Sequence, residues 1–92
     1  MAYRLLYHPA VLREDLPNIP NDQRHRIRSS IERHFLEEPI LAGKPLQQSL
    51  KGHRRLRVGD WRVIYRIERD AVIILKIGHR REVYQPAVKR LK

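Results

Sequence analysis

Hydrophobic residues in the first half of the chain recur with the period of a helix. Ile27, Ile31 and Phe35 are spaced four residues apart, which places them on one stripe of a helix that begins near Asn21 and ends at Pro39. We therefore expect an amphipathic helix whose apolar stripe packs against a second layer of the fold.

Shorter elements flank this helix. Residues 3–7 (YRLLY) predict a short strand, because they contain β-favouring aromatic residues and stop before Pro9. Residues 10–16 predict a short helix that Pro17 closes. Residues 39–50 contain two prolines and one glycine, so they are predicted to form a connecting loop.

Further along, the pattern alternates with a period of two, which is typical of β-strands. Residues 53–58 and 61–67 are separated by Gly59 and Asp60, which predicts a hairpin. Residues 71–77 (AVIILKI) predict a third, largely buried strand. Consecutive strands that are joined by two-residue turns run antiparallel.

A last short strand at 83–84 and a short helix at 86–91 complete the predicted order, β-α-α-β-β-β with a small tail. This order favours an α+β fold with a twisted antiparallel sheet and two helices packed on one face, the other face being left to arginines. A chain of 92 residues has room for one hydrophobic core, so we expect a single domain over 1–92.

The composition excludes several classes of function. The chain contains no cysteine, which removes disulfides, thiol nucleophiles and cysteine-ligated metal clusters. No apolar run approaches the roughly 20 residues of a membrane helix, and the N-terminal residues have no apolar core of signal-peptide length. We therefore expect a cytoplasmic protein with no membrane partner.

The charge of the chain is strongly positive and unevenly distributed. There are 20 Lys and Arg against 10 Asp and Glu, a formal net charge of +10. Nearly all of the excess lies in 51–92, where thirteen basic residues accompany four acidic ones. This asymmetry predicts a polyanionic partner, which is RNA, DNA or an acidic protein; the alternative is a basic surface that only keeps the protein in solution.

The predicted hairpin brings several of these cations to one face of the sheet. Arg55 and Arg57 point to the same side as Arg62 and Arg66 if the register is simple, and the loop at 78–81 follows the neighbouring strand. Guanidinium groups stay charged at neutral pH and bind phosphate with two hydrogen bonds. They can hold a phosphodiester and stabilise the charge that develops on phosphorus during its cleavage.

Three segments carry a resemblance to a known family. They are LKG at 50–52, RLRVGDWRVIY at 55–65 and IGHRREVY at 77–84. Together with the order of the elements, they resemble the RelE/ParE superfamily of toxins from prokaryotic type II toxin–antitoxin systems, and the RelE branch more than the ParE branch. The resemblance covers essentially the whole chain and implies a toxin that cleaves mRNA in the ribosomal A site.

The resemblance also implies which residues act. The implied catalytic residues are Arg55, Arg62, Arg80, Tyr84 and His53. The arginines are expected to hold the phosphate and stabilise the transition state, and Tyr84 to act as acid or base. His53 stands where the family often has lysine; because histidine exchanges a proton near neutral pH, we expect it to be a second proton carrier. General attraction of phosphate is expected from Lys51, Arg57, Arg66 and Arg81.

The implied reaction is a transesterification that needs no cofactor and no metal. The ribose 2′-OH attacks the adjacent phosphorus, which leaves a 2′,3′-cyclic phosphate and a free 5′-OH. The implied partners are the ribosome with its mRNA and an acidic, RelB-like antitoxin. Two alternatives stay open: a ParE-like toxin that inhibits DNA gyrase, and a non-catalytic module that binds RNA or an antitoxin.

Overall fold

A five-stranded sheet forms the centre of the computed structural model, which describes residues 3–91 except for the side chain of Leu41. The strands are β1 (Arg4–Tyr7), β2 (Lys44–Pro45), β3 (Arg54–Val58), β4 (Trp61–Glu68) and β5 (Ala71–His79). The helices are α1 (Asn21–Phe35), α2 (Pro39–Ala42) and α3 (Tyr84–Lys89). These elements confirm the predicted α+β class.

The sheet is mixed, and not antiparallel throughout as predicted. Its strand order is β1-β5-β4-β3-β2. The pairs β2–β3, β3–β4 and β4–β5 are antiparallel, but β1 runs parallel to β5 with Arg4 opposite Ala71. Short turns constrain only strands that follow each other in the chain, whereas the pairing of β1 with β5 depends on how the intervening helices pack.

The larger apolar cluster lies between the sheet and α1. The stripe of Ile27, Ile31 and Phe35 is buried there, as predicted, against strand side chains that include Tyr65. The ring centroids of Phe35 and Tyr65 are 4.1 Å apart, and the Tyr65 hydroxyl donates a hydrogen bond to the Pro39 carbonyl at 2.7 Å. The buried phenol is therefore satisfied and serves packing.

A smaller apolar cluster lies on the opposite face of the sheet, so that face is not left to the arginines alone. Ile64 and Leu75 of the sheet are buried there with Val83 and Ala87 of the C-terminal segment. Burial of about 25 cal/mol per Å² of apolar surface explains why α3 folds onto this face. The arginines occupy the remaining part of the face, beside α3.

Several short segments differ from the predictions. Residues 10–16 are not a regular helix, because a π-helical turn (Val11–Asp15) runs into a 3-10 turn (Leu16–Asn18). The segment predicted as a loop contains α2, β2 and a 3-10 turn. The predicted strand at 83–84 is absent from the described chain, since a 3-10 turn (Arg80–Val83) leads directly into α3.

Gly78 explains how the chain leaves the sheet at this point. A Cβ atom on Gly78 would lie 3.0 Å from the side chain of Val83. The absence of a side chain lets the 3-10 turn fold back over β5, so Val83 becomes buried. The turn consequently carries Arg80 and Arg81 back over the face of the sheet that bears α3.

A buried carboxylate ties the C-terminal segment to the first half of the chain. The side chain of Asp15 is 1% exposed and accepts hydrogen bonds from both terminal nitrogens of Arg90, at 2.6 and 2.8 Å. The Lys76 ammonium and the backbone amide of Ile77 donate to it at 2.8 and 2.9 Å. Burial raises the pKa of this carboxyl, but the hydrogen bonds outweigh burial and hold the pKa below its ordinary value.

None of the helices within residues 3–91 is long and apolar enough to cross a membrane.

Candidate active site

An open cleft of about 860 Å³ lies at the end of the β3–β4 hairpin, next to the start of α3. Its lining consists of Arg55, Arg57, Asp60, Arg62, His79, Arg80, Arg81, Glu82 and Tyr84. Six of the nine residues predicted from the sequence therefore share one cleft. The other three, Lys51, His53 and Arg66, do not line it.

The register of the hairpin places its arginines on one face. Arg57 lies directly opposite Arg62, and Arg55 lies opposite Ile64 two positions further along. Because side chains two residues apart on a strand share a face, the three arginines point to the same side. The simple register assumed from the sequence is confirmed for these residues.

Tyr84 enters the cleft from the first turn of α3. The Nη1 atom of Arg55 donates a hydrogen bond to the Tyr84 hydroxyl at 3.0 Å. The phenol ring is half-buried on the small apolar cluster, so its orientation is held at both ends. A phenolic oxygen beside a guanidinium group can donate a proton to, or accept one from, a bound substrate.

The turn between β3 and β4 holds two further guanidinium groups. Arg62 donates to the carbonyl oxygens of Gly59 and Trp61, both at 3.0 Å. Arg80 directs its Nε and Nη2 atoms to Oδ1 of Asp60, each at 3.2 Å, and its backbone amide to the Asp60 carbonyl at 2.8 Å. These contacts fix where the two cations stand before any ligand binds.

Asp60 and His79 belong to the site although the sequence reasoning did not assign them to it. The register of β4 on β5 pairs Trp61 with His79, so the next residues outward, Asp60 and Arg80, face each other across the sheet end. The two-residue turn between β4 and β5 would by itself pair Asp60 with His79. A register shift between Ile64 and Tyr65 moves the pairing by one residue, so the sequence pattern alone could not have revealed this contact. The positive φ of Arg80, 47°, which lets the chain turn there, has no sequence signal because this residue is not a glycine.

The cleft keeps a net positive charge. Five guanidinium groups share it with the carboxylates of Asp60 and Glu82. Among residues 3–91, no carboxylate lies within 4.0 Å of the guanidinium groups of Arg55, Arg57, Arg62 and Arg81. Unpaired guanidinium groups on one face are suited to bind the phosphates of a nucleic acid. In the described chain, no group of three or more His, Asp or Glu side chains could hold a metal ion.

The three predicted residues outside the cleft have other surroundings. Lys51 is exposed, and Arg66 forms an ion pair with Glu68 at 3.0 Å. His53 is half-buried, and its buried Nδ1 atom has no hydrogen-bond partner among the described residues. Burial, and then the neighbouring charge of Arg66, lower the pKa of His53. Its role as a second proton carrier stays a prediction.

This lowered pKa makes stability depend on pH. The unfolded chain binds a proton at His53 near pH 6.5, whereas the folded protein resists protonation, so the free energy of unfolding should fall as the pH drops below about 6.5. His53→Gln should make this decrease less steep. A single histidine can change the free energy of unfolding by at most about 1.4 kcal/mol per pH unit. Urea unfolding between pH 7.5 and 5.5 measures it.

The exposed histidine of α1 provides the control for this experiment. His25→Gln removes an imidazole at the surface and should leave the pH dependence as it is in the parent protein. If the free energy of unfolding depends on pH equally in the parent protein and in His53→Gln, His53 binds its proton equally well in the folded and the unfolded chain, and the prediction is wrong.

Known proteins match most of the chain in sequence and in fold. A family model described as ParE toxin of type II toxin–antitoxin system, parDE, matches residues 5–84. Toxin RelG of Mycobacterium tuberculosis is 42% identical over 50 residues, which are 52% of this chain and 58% of that relative. The match thus spans little more than half the length of this curated relative.

Solved structures show the same fold. The toxin–antitoxin complex RelBE2 from Mycobacterium tuberculosis contains a chain that matches with a TM-score of 0.80 and 29% identity, over 87% of this chain and 93% of that chain. A mutant of the E. coli toxin RelE in the free state matches with a TM-score of 0.76 and 25% identity, over the whole of both chains.

Proposed function

Because the chain belongs to the ParE toxin family of type II toxin–antitoxin systems, we propose that it is a RelE-like endoribonuclease of the cytoplasm. It cleaves mRNA in the A site of the ribosome and thereby inhibits translation. The observation that supports this proposal most is the convergence of Arg55, Arg62, Arg80 and Tyr84 in one positively charged cleft.

The proposed reaction is an internal transesterification. The 2′-oxygen forms a bond to the adjacent phosphorus and loses its proton to a base, while the bond from phosphorus to the 5′-oxygen breaks and that oxygen takes up a proton. The products are a 2′,3′-cyclic phosphate and a 5′-hydroxyl. Negative charge rises on the phosphoryl oxygens on the way, so fixed cations around them lower the barrier.

Each side chain of the cleft has a position that suits one of these tasks. Arg55 and Arg62 lie on neighbouring strands of one face and would hold the two non-bridging oxygens. Arg80 approaches from the turn after β5 and would stabilise the charge of the transition state. Tyr84, oriented by Arg55, would carry one of the protons.

The openness of the cleft supports a requirement for the ribosome. Arg80 is 62% exposed and nothing in the described chain closes over it, so the protein by itself does not force an RNA strand into one conformation. Alignment of the 2′-oxygen with the bond that breaks contributes strongly to such reactions. We assign this alignment to the ribosome, which holds the message in the A site.

An antitoxin is the second proposed partner. Two of the matching solved structures are toxin–antitoxin complexes, RelBE2 from Mycobacterium tuberculosis and RelB–RelE from Methanococcus jannaschii. The positive cleft and the net charge of +10 suit an acidic, RelB-like antitoxin that covers the cations.

The purified protein tests the proposed activity directly. A defined mRNA is incubated with the protein, with and without ribosomes that hold it in the A site, and the new 5′ ends are mapped. Cleavage is expected only with ribosomes, and the new ends should accept phosphate from polynucleotide kinase without prior phosphatase treatment, because they carry a 5′-hydroxyl. Equal cleavage of free RNA, or no cleavage on ribosomes, would contradict the proposal.

The match to the ParE family model favours inhibition of DNA gyrase as a second candidate function. Expression of a gyrase-inhibiting toxin would cause DNA breaks and leave the mRNA intact. Tyr84→Phe separates the candidates: loss of the proton carrier should slow mRNA cleavage, whereas a toxin that acts only by binding gyrase would keep its effect on growth.

A further inference from the structure

We infer that a smaller pocket beside the cleft binds the nucleotide next to the cleaved linkage, with its base against Trp61 and His79 and its phosphate on Arg26. This inference rests on the proposed cleavage of RNA and names a substrate subsite for it. The pocket has a volume of about 400 Å³ and lies between the β3–β4 turn and the first turns of α1.

The pocket and the cleft are neighbours along the surface. Asp60 and His79 line both of them, so no other element of the described chain separates the two. The ion pair between Asp60 and Arg80 forms the boundary. A single strand whose phosphate lies among the cleft arginines can therefore continue over the turn into the pocket, whose size suits one nucleotide.

Two aromatic rings form one wall of the pocket. The indole of Trp61 is partly buried against the larger apolar cluster, and the exposed imidazole of His79 meets it edge to face with the ring centroids 5.1 Å apart. Gln23 of α1 accepts a hydrogen bond from the indole nitrogen at 2.6 Å, which fixes the orientation of the ring. Rigid aromatic surfaces next to a basic groove are the means by which proteins stack the bases of single strands.

Arg26 supplies the cation of the pocket. Its guanidinium group lies over the β3–β4 turn, 3.5–3.8 Å from the point where a Cβ atom on Gly59 would stand. No carboxylate lies within 4.0 Å of it in the described part of the chain. Asp22 and Asp60 also line the pocket, but Arg80 neutralises Asp60, so the phosphate belongs on the Arg26 side.

Trp61 is the only tryptophan of the chain, so its fluorescence reports on the pocket. The probe is a short RNA oligonucleotide with 2′-O-methyl riboses, which has no free 2′-hydroxyl and is not cut. Binding should quench the fluorescence. Arg26→Ala should weaken binding about tenfold and lower the slope of log Kd against log salt by about 0.7, the contribution of one phosphate contact to a single strand. His79→Ala should weaken binding on the order of tenfold by removing a stacking surface.

Arg33→Ala is the matched control, because it removes the same charge from an exposed position of the same helix outside both pockets. Its Kd should stay within about twofold, since salt screens charges beyond roughly 10 Å. Binding of a labelled oligonucleotide that leaves Trp61 unquenched, or equal losses in Arg26→Ala and Arg33→Ala, would overturn the subsite. Cleavage on the ribosome is measured in a separate assay. A failure of the proposed cleavage activity can therefore be told apart from a failure of the proposed subsite.

Discussion

Replacing Asp15 with alanine is expected to lower the free energy of unfolding by about 3–5 kcal/mol, the loss typical of breaking a buried ion pair. The variant would leave Arg90 and Lys76 as cations without their shared carboxylate, at positions where their side chains are 10% and 16% exposed. Domains are stable by only about 5–15 kcal/mol, so the variant should lose a large share of its stability and unfold at a clearly lower urea concentration. Urea unfolding followed by Trp61 fluorescence measures the change.

Asp70→Ala provides the matched control for this prediction. Asp70 also pairs with an arginine, Arg4, but both side chains of that pair are more than half exposed. Water and salt weaken such a pair, so the control should unfold at nearly the same urea concentration as the parent protein. An equal, small effect of both substitutions would show that the carboxylate of Asp15 does not hold the C-terminal segment.

The lowered pKa of Asp15 adds a second readout. Between the folded pKa and the unfolded value near 3.9, the unfolded chain binds more protons than the folded protein, so stability falls as the pH drops through this range. Asp15→Ala should lose this part of the acid sensitivity. The difference between the two pH profiles isolates the contribution of this carboxylate from those of the others.

The sequence predicts well those parts of the site that depend on local strand geometry. Arg55, Arg57 and Arg62 belong to two strands joined by a two-residue turn, so their alternation alone places them on one face, as the register shows. The resemblance to the toxin superfamily added Arg80 and Tyr84, which no periodicity connects to the hairpin. The structure places both of them in the same cleft.

Features that depend on distant contacts could not be predicted in this way. The pairing of β1 with β5 joins residues that are 67 positions apart, as Arg4 and Ala71 show. Arg90 and Asp15 are 75 positions apart. His53 precedes β3, at the end of the strand away from the β3–β4 turn, so alternation places it on the correct face but not in the cleft. Period and spacing describe a face of the sheet, and tertiary packing determines which part of that face becomes a site.

Arg62→Ala is expected to lower the rate of mRNA cleavage on the ribosome by about a hundred- to a thousandfold, the loss typical of removing one stabilising donor from a reaction centre. Arg62 lies opposite Gly78, so no side chain on that neighbour covers it, and it has no carboxylate partner in the described chain. Its charge is therefore available to the phosphate. Single-turnover cleavage of A-site mRNA measures the rate, and growth after induced expression provides the readout in cells.

Two further variants separate the charge of Arg62 from its shape and position. Arg62→Lys keeps a cation but loses the planar group that binds two oxygens, so its rate should lie between those of Arg62→Ala and the parent protein. Arg33→Ala removes the same charge from an exposed position of α1, outside the cleft, and should change the rate little. If Arg62→Ala unfolds at the same urea concentration as the parent protein and still cleaves at the parent rate, the cleft is not the catalytic centre. If Arg33→Ala slows cleavage as strongly, overall charge and not the geometry of the cleft governs the reaction.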